Sequence, residues 1–213
     1  MTHDNSQNIR AIDWRVMAVK SQNDCKCFIR DNHYAMGCPK TSVYRHGLYR
    51  WDNEHDCPVS TDLYGVAMWL PPIKIAAVSV ACAEWARVLS LTRLAVHPIV
   101  PRGGASFLLG GSMKQIDSHR WPVLLTYADT AHGHTGAIYK ATSWIELGLT
   151  KAGATYIDRD GMQCGRKRGG KNLTAQEVLD RGMVRLPQLG KIKFVHYDKH
   201  YKGFRAKPYT LVE

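Results

Sequence analysis

The stretch Leu89-Ser-Leu-Thr-Arg-Leu-Ala-Val-His-Pro-Ile-Val-Pro-Arg-Gly-Gly-Ala-Ser-Phe-Leu-Leu-Gly-Gly-Ser112 decides how the chain is read. Residues 89–96 are a near-continuous apolar run of strand length, the pattern of a strand covered on both faces. Two prolines and two glycines in 97–106 punctuate a tight loop. From 107 the spacing turns helical, and Phe107, Leu108, Met113 and Ile116 share a broad face. Strand, glycine-rich loop and helix make an anion-binding geometry, because unpaired N–H groups and the positive helix end converge at the loop. Arg102 adds a formal charge there.

Upstream, residues 12–19 suit a first strand. Ser21 reads as the N-cap of a short helix, with Asp24 three residues on and Cys25, Phe28 and Ile29 on its apolar side. Residues 43–51 and 62–70 read as an antiparallel pair joined by the polar turn 52–61. Pro71-Pro72 ends the second, and a helix or irregular segment follows through 76–86. Downstream, Val-Leu-Leu-Thr-Tyr-Ala (123–128) is a second apolar strand. A polar loop (129–135), a short helix (136–141) and another strand (144–149) come next. The expected class is α/β, a mixed sheet with two central parallel strands flanked by helices.

Residues 1–150 read as the core and 151–213 as a basic extension packed on it by a last strand near 191–196. The loop Gly165-Arg166-Lys167-Arg168-Gly169-Gly170-Lys171 is basic, and so is the aromatic tail from Lys199 to Lys207. The formal charge is +11, from 29 Lys and Arg against 18 Asp and Glu. That imbalance favours a polyanionic partner. No apolar run approaches the roughly 20 residues a membrane span needs, and the polar start is not a signal peptide. Six cysteines, at 25, 27, 38, 57, 82 and 164, lack paired CxxC spacing and read as reduced thiols. A cytoplasmic location is expected. Nothing in the sequence sets the oligomeric state, and a homodimer is compatible with it.

Several residues stand out chemically. Arg93 is a charge in a strand covered on both faces, so it needs either a structural partner or a ligand. Asp129 ends a strand expected to be parallel, the edge at which open α/β sheets bind ligands, although an Asp opening a turn is common. His132 and His134 lie beside it as candidate bases or metal ligands, or as solvated loop residues. Tyr139 follows on the short helix. His33 and Tyr34 set an imidazole and a phenol side by side at a helix end.

The loop resembles the pyrophosphate-binding motif of the GNAT acetyltransferase superfamily, Val-x-Pro followed by Gln/Arg-Arg-x-Gly-x-Gly/Ala. Val96, Pro98, Arg102 and Gly104 match, while Pro101 and Ser106 depart from it. The resemblance implies a sheet whose central parallel strands splay to form a cofactor cleft. It makes Arg102, Gly103, Gly104 and Ala105 the cofactor-binding candidates, with acetyl-CoA or another small-molecule donor as the cofactor. Tyr139 falls where many GNAT enzymes place a tyrosine that protonates the departing thiolate.

Two blocks together resemble something narrower: Leu91-Thr-Arg-Leu-Ala-Val-His-Pro with Gly-Gly-Ala-Ser-Phe-Leu-Leu-Gly, and Leu-Thr-Tyr-Ala-Asp129 with Gly-His-Thr-Gly-Ala-Ile-Tyr139-Lys-Ala-Thr-Ser-Trp. They are similar to the Mom DNA-modification proteins of bacteriophages. That family converts adenine in DNA to an N6-carbamoylmethyl derivative, which protects phage DNA from restriction. The resemblance implies DNA as partner and Arg93, Ser106, Asp129 and Tyr139 as the functional core. It also implies iron, with His33 and Tyr34 as candidate ligands. Arg166, Lys167, Arg168 and Lys171 become candidate phosphate contacts, and Tyr201, Phe204 and Tyr209 candidate stacking residues. The alternative is an acetyl-CoA-dependent N-acetyltransferase acting on a protein or small-molecule amine.

Overall fold

A computed structural model describes residues 8–34, 37, 39–151, 156–161, 163–165, 167–168, 171–186 and 189–209. In chain order it contains β1 (Trp14–Ala18), α1 (Gln22–Asn32), β2 (Tyr44–Asp52), β3 (Cys57–Pro58), β4 (Gly65–Leu70), α2 (Lys74–Ala81), β5 (Val88–Val96), α3 (Gly104–Lys114), β6 (Val123–Asp129), α4 (Ala137–Lys140) and β7 (Ile145–Leu149). There follow β8 (Tyr156–Ile157), β9 (Gln163–Cys164), β10 (Lys167–Arg168), β11 (Lys171–Asn172), α5 (Ala175–Asp180), β12 (Val184–Arg185) and β13 (Lys191–Tyr197).

One mixed sheet runs in the order β1-β2-β4-β5-β6-β13-β7, with β3 paired to β2. Its strands alternate between two covered faces, as the period of two demands. Val66 and Met68 of β4 pack with Cys25 and Ile29 of α1, whereas Ala67 and Trp69 join the cluster around Leu108 and Leu109 of α3. In β6, Val123 and Leu125 face the α2 cluster, whereas Leu124 and Ala128 face α3 and α4. Ser21 caps α1 as its sequence position predicts, its hydroxyl accepting from the Asp24 amide at 3.1 Å.

The centre of the sheet holds the one feature on which the site depends. β5 and β6 are parallel, and they pair only from Val88–Val123 to Ser90–Leu125. Beyond Ser90 they part. On its other edge β5 carries a bulge: Met68 opposes Arg93 and Trp69 opposes Leu91, which leaves Thr92 over. The Thr92 hydroxyl donates to the Met68 carbonyl at 3.0 Å and fills the extra place. A bulge bends its strand and sharpens the local twist, so β5 is turned off the line of β6 where the pairing stops.

β13 is not laid outside the core. It lies between β6 and β7, antiparallel to both. The rest of the 151–213 region adds a three-stranded sheet, β12-β8-β9, whose small core is Tyr156, Leu173, Val178 and Met183. Tyr201 is buried and stacked on Tyr197 at 5.6 Å, which removes it from the expected base-stacking tail; Phe204 and Tyr209 remain exposed. Among the described residues no helix is long and apolar enough to cross a membrane.

Candidate active site

The gap between β5 and β6 is a cavity of about 390 Å³, within the range of small-molecule sites. It opens through the sheet. Residues 91–96 of β5 and 126–128 of β6 form its sides, Ala137, Ile138 and Tyr139 of α4 close it on one face, and His33 and Tyr34 border it on the other. Ala105 of the glycine-rich loop and residues 133–136 complete the rim.

Arg93 follows the bulge and lines the cavity. Its Nε donates to the Gly37 carbonyl at 2.6 Å and its Nη1 to the Thr92 carbonyl at 2.7 Å. Among the described residues its partners are these backbone carbonyls and it has no ion pair with a carboxylate. The charge therefore faces the cavity without a carboxylate to neutralise it.

Tyr139 also lines the cavity and is 8% exposed, packed on Phe194 and Trp144. Its helix, α4, starts after Gly136, which has φ +77°. A Cβ at Gly136 would lie 2.2 Å from Phe194 Cζ, so only glycine lets α4 approach the sheet this closely. Burial pushes the Tyr139 phenol up, with the Thr126 hydroxyl opposing the shift. Thr126 Oγ1 stands 3.4 Å from the Tyr139 hydroxyl and 3.3 Å from the Leu91 carbonyl, so it ties β6, β5 and α4 together where the strands part. Sequence reasoning missed Thr126; its signal is a hydroxyl inside an otherwise apolar strand.

Asp129 and Ser106 sit beside the cavity without lining it. Asp129 ends β6 as expected. It caps the turn that follows, accepting from the Ala131 amide at 3.2 Å, and pairs with Lys191 of β13 at 2.6 Å. Burial would raise its carboxyl, but the hydrogen bond and charge of Lys191, then the Ala131 amide, hold it below the ordinary 3.8. The folded state thus binds this proton less readily than the unfolded one. The associated stability is present above about pH 4 and is lost as pH falls through the folded-state value. Losing the cap costs about 1 kcal/mol, and the half-exposed lysine adds less than about 1 kcal/mol. Asp129→Ala is therefore expected to lower Tm by about 2–8 °C at neutral pH. Asp129→Asn, which keeps the capping oxygen, should recover part of that loss. A pH series of thermal melts checks this, since the Asp129→Ala deficit should shrink below about pH 4.

The glycine-rich loop adopts the shape its composition predicts. Gly103 is the N-cap of α3 with φ +88°, and the helix begins at Gly104, three residues earlier than the apolar spacing shows. Among the described residues the Ala105 and Ser106 amides have no backbone acceptor, as a first helical turn requires. Arg102 is exposed beside them. The Ser106 hydroxyl donates back to the Gly103 carbonyl at 2.9 Å. These free amides and the neighbouring guanidinium suit a phosphate group.

His33 and Tyr34 belong to a cluster of rings. Tyr34 packs on His33 with centroids 4.3 Å apart, on His132 at 3.9 Å and on His134 at 5.3 Å. Burial, then Arg93, His134 and His132, push His33 down to about 4. Burial, with Asp129 adding and Arg93 opposing, pushes the Tyr34 phenol up to about 12. The iron implied by the resemblance is not supported by this arrangement: among the described residues no group of three His, Cys, Asp or Glu is placed to hold a metal ion. Of the candidate phosphate contacts, Lys171 is exposed. Arg166 and the side chains of Lys167 and Arg168 lie outside the described residues.

The model of the Mom protein family matches residues 13–200. No curated protein matches the sequence. Among solved structures, the chain is similar to the ribosomal-protein-S18-alanine N-acetyltransferase of Escherichia coli, with a TM-score of 0.50 and 11% identity over 90% of this chain and 98% of that one. It is also similar to the ribosomal-protein-S5-alanine acetyltransferase of Vibrio fischeri, with a TM-score of 0.50 and 8% identity over 92% of this chain and 100% of that one. At these identities the likeness shows the fold, and that fold is the GNAT acetyltransferase fold.

Proposed function

The chain belongs to the Mom protein family, and from that premise we propose that it is a DNA-modifying transferase converting adenine to its N6-carbamoylmethyl derivative. The observation that carries this reading is the through-sheet cavity with Arg93 and Tyr139 on its wall. Adenine N6 lies within the duplex stack, so the base must be extruded to reach such a cavity, at a cost of a few kcal/mol. Phosphate contacts offset that cost. The net charge of +11 suits them, and Lys171, Lys199, Lys202 and Lys207 are exposed.

The side chains suit a substitution in which N6 attacks an electrophilic carbon. The N6–C bond forms, the bond from carbon to the leaving group breaks, and the electron pair departs with that group. Tyr139 is protonated at neutral pH and can give its proton to the departing group. Thr126, turned toward the phenol oxygen, then steadies the phenolate. The attacking amine becomes strongly acidic once its lone pair is engaged, so even a weak base suffices, and water can relay the proton to Asp129 beside the cavity. Arg93 favours negative charge developing in the cavity. The glycine-rich loop would hold a phosphate-bearing donor whose leaving group sits on the CH₂ carbon that N6 attacks. Acetyl transfer alone would place a carbonyl on N6, whereas the family's product bears CH₂ there, so the donor must carry a carbamoylmethyl unit.

Expression in a restriction-deficient bacterium, followed by digestion of its DNA to nucleosides, tests the reading. Mass spectrometry is expected to show deoxyadenosine heavier by one carbamoylmethyl group. Unaltered DNA together with an acetylated amine would favour the second reading, acetyl-CoA-dependent acetylation of a protein or small molecule. The fold and the phenol of Tyr139 both permit that reading.

A further inference from the structure

The ring cluster at the mouth of the cavity is larger than a helix end needs. Tyr34 lies within 28° of parallel to His33 and within 32° of parallel to His132. His134 meets it edge-on at 70°. The two pairs come from segments a hundred residues apart, the end of α1 and the loop after β6. Tyr34 is 41% exposed, so this packing does not bury the ring as a core contact would. His33, Tyr34 and His134 border the cavity directly. Among the described residues lining it there is no carboxylate, and Arg93 is the permanent cation.

This lining is poorly suited to a cationic amine and well suited to a neutral, flat, electron-rich group. We infer that His33, Tyr34, His132 and His134 form an aromatic wall against which the extruded purine stacks, with Tyr34 as the residue that positions the imidazoles. The inference rests on the reading of DNA adenine as substrate and assigns the recognition step within it. Stacking on aromatic side chains contributes about 1–3 kcal/mol per base, and every base has a π face to offer. The role assigned to Tyr34 belongs to its ring, and its hydroxyl is dispensable for it.

Two oligonucleotides, one with 2-aminopurine and one with an abasic site at the same position, test the wall without turnover. The wild-type protein is expected to quench 2-aminopurine fluorescence and to prefer that oligonucleotide about tenfold over the abasic one. Tyr34→Phe should retain the preference within about twofold. Tyr34→Leu should erase it while leaving affinity for the abasic oligonucleotide unchanged, which also shows that the variant is folded. His132→Leu, an exposed substitution, should lose part of the preference and serves if Tyr34→Leu does not fold. Retention of the preference by the leucine variants, or its loss in Tyr34→Phe, overturns the wall, as does a wild-type protein that does not distinguish the two oligonucleotides. Loss in Tyr34→Phe would assign the function to the hydroxyl. Because no product is measured, failure of carbamoylmethylation in the nucleoside digest is read separately from failure of the wall.

Discussion

Tyr139→Phe is expected to lower the rate of adenine modification by about two to four orders of magnitude, the range for removing a positioned general acid. The fold should tolerate it. The phenol ring keeps its contacts with Phe194 and Trp144, and only the hydroxyl is lost. Its neighbour, the Thr126 hydroxyl, still has the Leu91 carbonyl at 3.3 Å, so no donor is left buried without an acceptor. The stability change should stay within about 1 kcal/mol. Quantifying modified deoxyadenosine at matched protein levels, beside a thermal melt, separates the two effects. A rate within about threefold of wild type would remove the phenol from proton transfer, because a purely packing role is preserved by phenylalanine.

Gly136→Ala is expected to be the more damaging change to the structure, destabilising it by about 2–5 kcal/mol. Two costs add at this position. The residue has φ +77°, which costs a side chain about 1–2 kcal/mol. The new methyl would also stand 2.2 Å from Phe194 Cζ and 2.4 Å from its Cε2. Phe194 is fully buried at the centre of the core, so its ring cannot swing aside, and overpacking of this kind costs about 1–3 kcal/mol. The fold can relieve the clash by moving α4 outward, which carries Tyr139 off Thr126. Denaturant unfolding should show the lost stability. The surviving folded fraction should also turn over more slowly. Gly133→Ala provides the control, with a similar φ of +72° and nothing within 4 Å of its Cβ.

Much of this arrangement is legible in the residues themselves. The strand, loop and helix of 89–112 follow from local pattern alone, since alternation, proline, glycine and helical spacing act over a few residues. The Ser21 cap and the place of Asp129 at the end of β6 are readable for the same reason. What escapes is whatever depends on a distant partner. The bulge at Thr92 exists only because β4 sets the register opposite it, and nothing in Leu-Thr-Arg marks it. Lys191 is an ordinary surface lysine until β13 brings it to Asp129. The ring cluster joins residues 33–34 to 132–134, and each pair alone reads as solvated. Ser106 matches a motif by position, yet its hydroxyl is turned into its own loop, because a serine in the first helical turn finds a backbone carbonyl nearby.

The placement of β13 has a bearing on how the molecule is made. On the ribosome, β5, β6 and the loop after them emerge well before residues 191–197. Until those arrive, β6 and β7 each present a naked edge toward the other, the kind of surface that invites pairing with foreign strands. Phe194, which seats Gly136, and Lys191, which pairs with Asp129, arrive on the same late strand. The nascent chain therefore holds the parts of this hollow long before it can assemble them, and the final shape of the hollow is acquired only after residues 191–197 have been synthesised.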